Sequence, residues 1–177
     1  MPPALIFLLH LALGYLAWAM AFLTWGLPWL RRLPRLTAMR AIATLHGFRF
    51  FGLVFILPGV VGPGLPPSFA SAAAWGDFAT GLLALATLAS VRWPPVFWTL
   101  AVAFNVVGVA DLVIDYAQAV QLGLPEVAGQ MGAAYAIPIL YVPLLMITHV
   151  AAGWVVWRAG TEAGAAGAGA APHLPTP

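Results

Sequence analysis

Residues 95–122 read PVFWTLAVAFNVVGVADLVIDYAQAVQL, an apolar run interrupted by only a few polar side chains. Its charged side chains are Asp111 and Asp115, which stand one helical turn apart. A helix needs about 20 predominantly apolar residues to cross the hydrocarbon core of a bilayer. This stretch is longer than that minimum, and it therefore predicts a transmembrane helix.

Four other stretches have the same length and character. The five predicted spans cover residues 4–30, 38–62, 69–91, 95–122 and 132–157. The chain is 63% hydrophobic and 7% charged, whereas about 25% of the residues in a soluble domain are charged. We therefore predict an all-α integral membrane bundle of five transmembrane helices, built as one domain from residues 1–159. The segment 160–177 is rich in Gly, Ala and Pro without periodicity, and we predict that it is disordered.

The positive charges predict how the helices are oriented. Six arginines flank the first and third predicted loops or follow the fifth helix: Arg31, Arg32, Arg35, Arg40, Arg92 and Arg158. An odd number of spans places all of them on one side, and cytoplasmic loops carry the excess of positive charge. We therefore predict an extracytoplasmic N-terminus and a cytoplasmic C-terminus. The use of Arg without Lys, with abundant Ala, Gly and Pro, is typical of a GC-rich bacterial genome, which predicts the bacterial cytoplasmic (inner) membrane.

The composition also excludes several kinds of chemistry. The chain has no lysine, which excludes a Schiff-base or lysine-nucleophile mechanism. It has no cysteine, which excludes thiolate nucleophiles, disulfide exchange and iron–sulfur ligation. No catalytic signature is present, so an enzyme is not the favoured interpretation. The lipid bilayer is the predicted partner, and nucleic acid is not.

A few charged and polar residues lie inside the predicted spans. A charged side chain at the centre of a bilayer costs about 2.5–3.5 kcal/mol on insertion scales, so it requires a partner or a purpose. With a rise of about 1.5 Å per residue, Arg49 and Asp111 lie at similar depths near the middle of the membrane. We predict that Arg49 pairs with Asp111 or Asp77 and that its remaining N–H groups donate to Asn105 or to backbone carbonyl groups. Asp115 completes this buried polar cluster, and two carboxylates as close as Asp111 and Asp115 should not both ionise easily.

The histidines form two predicted layers. His46 and His149 lie at matched depth on different helices, where they could be axial ligands of a b-type haem or hold a metal ion together with a carboxylate. The alternative is a pair of neutral imidazoles that are hydrogen-bonded within the bundle. His10 lies near the outer side, and we predict that it forms an outer polar layer with Asp77 and Asp115 if the first, third and fourth helices meet. The alternative is ordinary hydration of these side chains near a helix end.

Parts of the sequence resemble known membrane protein families. The segments 75–82 (WGDFATGL), 104–112 (FNVVGVADL) and 138–149 (PILYVPLLMITH) resemble a group of small bacterial multi-pass proteins of unknown function. The stretch 49–59, from Arg49 through Phe55 to Gly59, is superficially similar to the DoxX-like membrane families. These resemblances imply a small helical membrane protein and no particular activity.

Three functional hypotheses follow from these observations. The first is a protein that handles protons or small solutes through its buried carboxylates and Arg49. The second is an accessory or interaction subunit whose polar residues only set helix packing, in a homo-oligomer or beside a partner membrane protein. The alternative is an electron carrier that binds haem b through His46 and His149.

Overall fold

The computed structural model describes the backbone of residues 1–168 and the side chains of residues 1–158. Within this part of the chain the structure is helical and contains no strand. Its α-helices are α1 (Pro3–Ala21), α2 (Leu27–Arg32), α3 (Arg35–Gly47), α4 (Pro67–Ala89), α5 (Pro94–Gln121) and α6 (Val142–Ala168). The π-helical turn Phe22–Gly26 joins α1 to α2, and the 3-10 helix Phe48–Ile56 extends α3. Between α5 and α6 lie the 3-10 turns Leu124–Tyr135 and the π-helical turn Ile137–Tyr141.

Five helical segments among the described residues are long and apolar enough to cross a membrane. They are Pro3–Arg32, Arg35–Ile56, Pro67–Ala89, Pro94–Gln121 and Ile137–Arg158. The predicted all-α class and the presence of five such helices are therefore confirmed.

Prolines mark where several of these helices begin. Pro3, Pro67 and Pro94 each stand at the first position of a helix. Proline fits this position because its missing N–H would have no partner there and its φ angle is already helical. The prolines in the short connections therefore favour the start of the next helix.

The second predicted span, residues 38–62, differs from the structure at both ends. The helix begins earlier, at Arg35, and ends at Ile56. Beyond that residue Pro58 donates no backbone hydrogen bond, and Gly59 has a φ of 82°, which a helix does not contain. Residues 57–66 consequently form turns at the end of the bundle.

The fifth predicted span, residues 132–157, begins too early. Gly132 has φ 53° and ψ −130°, which breaks the 3-10 turns, and the membrane-length helix starts only at Ile137. At the other end the α6 backbone continues to Ala168 and enters the segment 160–177 for which we predicted disorder. The rest of that segment lies outside the described residues.

The buried apolar side chains form two clusters at opposite ends of the bundle. The first cluster comprises Phe7, Phe55, Leu65, Phe69, Ala70, Ala73, Ala74, Leu124, Ala128, Met131, Ala134 and Ile137. The second comprises Leu30, Ala38, Met39, Ile42, Ala43, Ala84, Phe97, Ala101, Phe104, Ala151, Ala152 and Val155. Helix α4 packs against α3, its 3-10 extension and α5, while α6 packs against α1, α3 and α5. The buried charged residues lie between the two apolar clusters. Along α4, for example, Asp77 stands between Ala74 of the first cluster and Ala84 of the second.

Candidate functional site

Arg49 lies at the centre of the polar layer and is completely buried. Its Nε donates to Asp77 Oδ1 at 2.7 Å, and its Nη2 donates to Asp111 Oδ2 at 2.5 Å. Its Nη1 lies 3.2 Å from His149 Nε2 and 3.4 Å from the Gly108 carbonyl oxygen. The predicted buried ion pair is therefore confirmed. The guanidinium binds both candidate carboxylates because its planar fork presents donors in several directions.

His149 connects the guanidinium to Asn105. A guanidinium only donates hydrogen bonds, so His149 Nε2 must be the acceptor and the ring proton must lie on Nδ1. That nitrogen lies 2.9 Å from Asn105 Oδ1, to which it donates. The imidazole is therefore neutral in this arrangement. Asn105 joins the network through His149 and makes no direct bond to Arg49.

His46 and His149 pack directly against each other, with ring centroids 4.1 Å apart. The Nε2 of His46 is hydrogen-bonded to Thr148 Oγ1 at 3.0 Å, and that of His149 faces Arg49. A haem held by two histidines needs the porphyrin plane between the rings, with free ligating nitrogens on both sides. The described arrangement leaves no such gap. Among the described residues, no group of three or more His, Asp or Glu side chains is placed to hold a metal ion.

An absorption spectrum tests the haem hypothesis. Because the two rings are in contact and both Nε2 atoms are engaged, we expect the purified, folded protein to show no Soret band that shifts on reduction with dithionite. Such a band, lost in both His46→Ala and His149→Ala, would show that the two rings separate around a haem.

Three glycines provide the space that the polar side chains occupy. A Cβ atom added at any of them would overlap one member of the network: the Asp77 carboxylate at Gly52, the Asp111 carboxylate at Gly76 and the His149 ring at Gly108. Helices with small residues approach each other closely, and here the missing Cβ atoms make room for two carboxylates and an imidazole from neighbouring helices. Composition alone did not identify this role, because glycine is common in spanning helices for other reasons.

Asp115 lies apart from this network. Its Oδ1 is buried and has no hydrogen-bond partner. Asp115 and Asp77 line one cavity of about 110 Å³ whose other walls are almost entirely apolar. These walls include Phe7 and Leu11 of α1, and Phe69 of α4. Asp77 therefore connects the two features, because it binds Arg49 and also lines the cavity.

The predicted outer polar layer is not assembled. His10 is exposed, and its Nδ1 lies 2.9 Å from the hydroxyl of Tyr135. It makes no bond to Asp77 or Asp115, because the 3-10 turns that contain Tyr135 pack against α1 at this level. A feature that the sequence did not indicate is the 2.7 Å hydrogen bond between the Tyr15 and Tyr116 hydroxyls, which joins α1 to α5.

The fold and the site define a helical protein with five membrane-length apolar helices around a buried arginine–aspartate network. The chain belongs to the family described as Domain of unknown function (DUF8737), which matches residues 6–157. The match includes Arg49 and the side chains bonded to it, and also His46 and Asn105. No curated protein and no solved structure matches the chain. No similarity to the DoxX-like families is found, so that resemblance carries no further argument.

Proposed function

We propose that the protein spans the bacterial cytoplasmic membrane five times, with its N-terminus outside, and handles a proton or a small solute at its buried carboxylates. The orientation is supported by the placement of the arginines. The guanidinium of Arg35, which begins α3 directly after the first loop, lies 5.8 Å from the ring centroid of Trp98, which follows the third loop. These two loops therefore share one end of the bundle, as the concentration of positive charge on the cytoplasmic side requires.

A surplus of carboxylates over cations supports the proposed function. Asp77 and Asp111 share the single guanidinium of Arg49, and Asp115 stands one turn further along α5. Among the described residues no second cationic side chain forms a salt bridge with these carboxylates. A buried charge without a counter-charge is strongly destabilising. The site therefore favours at least one bound proton, and Asp115, which makes no bond to Arg49, is the group that we expect to hold it.

The position of Asp115 makes this proton available for transfer or exchange. The carboxyl group borders the cavity, whereas Asp111 is held by Arg49. Carboxyl groups that exchange protons inside a membrane usually face a bundle interior or a cavity, where a ligand or water reaches them. In this proposal the Arg49 network holds the helices in place and Asp115 is the exchanging group.

Infrared spectroscopy tests this proposal directly. We expect the protein in lipid nanodiscs at neutral pH to show the C=O stretching band of a protonated carboxyl group. This band should shift in heavy water. The band should disappear in Asp115→Asn and persist in Glu126→Gln, which removes an exposed carboxylate outside the membrane-length helices. A spectrum without the band, or a band unchanged by Asp115→Asn, would contradict the assignment of the proton to Asp115.

The accessory-subunit hypothesis has its own structural support. The Arg49 network ties together the extension of α3, α4, α5 and α6, which is what a purely structural ion pair would do. If Asp115→Asn changed neither the infrared band nor any transport, and a membrane protein co-purified with the chain, this second hypothesis would replace the first. Under both hypotheses, assembly as a homo-oligomer or with a partner membrane protein stays a prediction.

A further inference from the structure

The cavity beside Asp115 combines apolar walls with two carboxylates. Of its lining residues, Asp77 and Asp115 are the only charged ones, and they belong to the neighbouring helices α4 and α5. The remaining wall is formed mainly by aromatic and aliphatic side chains of the first apolar cluster. Such a lining suits a molecule with an apolar body and one polar end, since a few polar groups in an apolar pocket fix the orientation of a ligand.

Part of the cavity lining is exposed on the outside of the helical bundle. Two of its lining residues are well exposed there: Leu8 of α1 is 52% exposed and Val120 of α5 is 79% exposed. Both belong to membrane-length apolar helices, so this face is turned toward lipid in the proposed topology. A ligand dissolved in the bilayer could therefore enter sideways between α1 and α5, beside the bonded pair of Tyr15 and Tyr116.

The charge of the site selects among amphipathic ligands. Asp77 and Asp111 share one guanidinium, Asp115 has no cationic partner among the described residues, and the two carboxyl groups that border the cavity are those of Asp77 and Asp115. An anionic ligand would add negative charge to the site, and a neutral ligand would leave the proton on Asp115 in place. A cationic end would replace that proton, which is released on binding, and would give the resulting Asp115 carboxylate the partner that its Oδ1 lacks through a charge-assisted hydrogen bond, which is stronger than a neutral one.

We propose that this cavity binds a lipophilic amine in its ammonium form, with the ammonium group at Asp115 and the hydrocarbon part among the apolar walls. The inference rests on the proposed function and names the class of solute that the carboxylates would handle. The cavity of about 110 Å³ is smaller than the roughly 150 Å³ of an apolar cavity that takes up benzene, so it would hold the ammonium group and the first methylene groups of such a molecule. The rest of a narrow alkyl chain would leave past the exposed Leu8 and Val120 toward the lipid, which a primary alkylamine allows.

A binding assay on the protein in nanodiscs tests the inference with tritiated octylamine as the probe. We expect saturable binding that unlabelled octylamine displaces and that equal concentrations of 1-octanol or octanoate do not. Asp115→Asn should weaken the affinity at least tenfold, which corresponds to about 1.4 kcal/mol. Displacement by 1-octanol as effectively as by octylamine, or unchanged binding to Asp115→Asn, would overturn the assignment of a cationic ligand.

A second pair of variants tests the location without altering any charge. Ala119 lines the cavity, whereas the nearby Ala117 of α5 does not line it and is exposed. Ala119→Phe should abolish octylamine binding by filling the space, and Ala117→Phe should leave it unchanged. Equal binding by both variants would place the amine elsewhere.

The two proposals can fail separately. Absence of saturable octylamine binding to folded protein that retains the Asp115 infrared band would refute the amine inference and leave the proton-handling proposal standing. Loss of the band together with loss of binding would refute both.

Discussion

Replacing Arg49 with methionine is expected to lower the free energy of unfolding by about 3–5 kcal/mol, the usual cost of breaking a buried ion pair from one side. The substitution leaves Asp77 and Asp111 facing each other without their shared cation in an apolar interior. Methionine fills much of the volume of the arginine side chain. The loss of stability therefore reports the missing charge and hydrogen bonds more than the creation of a cavity.

Thermal unfolding of the detergent-purified variants measures this loss. Arg40→Met is the matched control, since Arg40 is exposed near the start of α3 and should change the melting temperature little. Arg49→Lys should fall between wild type and Arg49→Met, because an ammonium group keeps the charge but lacks the planar fork that reaches both carboxylates. Equal melting temperatures for Arg49→Met and Arg40→Met would contradict the described network.

Gly76→Ala is the second substitution with a large expected effect. Alanine in place of glycine inside a helix normally stabilises it by about 0.5–1 kcal/mol. At Gly76, however, the added methyl group would overlap Asp111 Oδ1, and the carboxylate would have to move away from Arg49. We therefore expect the sign to reverse, with a loss of about 1–3 kcal/mol, the typical cost of overpacking a core.

Gly129→Ala provides the comparison for this prediction. A Cβ atom at Gly129 would meet no neighbouring atom within 4 Å, so the substitution should be nearly neutral in the same unfolding assay. A Gly76→Ala variant as stable as the wild type would show that Asp111 does not occupy the position beside this glycine.

The sequence predicted the members of the ion-pair network better than it predicted their connections. Helical rise placed Arg49 and Asp111 at similar depth, and an arginine in an apolar span requires a carboxylate nearby. The sequence left open whether Asp111 or Asp77 is the partner, because depth does not determine how each helix is rotated about its axis. The structure shows that the branched guanidinium contacts both.

Predictions that depended on irregular backbone were less successful. The layer of His10 with Asp77 and Asp115 required His10 to lie on the side of α1 that faces the carboxylates. Phe7 and Leu11 line the cavity with them instead, and His10 contacts Tyr135 from the 3-10 turns. Matched depth also placed His46 near His149, but it could not show that the two rings are in direct contact. The path of the 3-10 turns that contain Tyr135 is broken at Gly132 by a positive φ, which is not apparent from hydropathy alone.

The most direct test of the central claim, that one buried guanidinium holds both Asp77 and Asp111, is the melting temperature of a variant whose ion-pair network carries no charge. Arg49→Met combined with Asp77→Asn and Asp111→Asn removes the cation and both anions together. Because replacing a whole buried ionic network by uncharged groups is often nearly neutral, we predict that this triple variant recovers most of the stability that Arg49→Met alone loses. A triple variant no more stable than Arg49→Met would contradict the claim that the two carboxylates depend on Arg49.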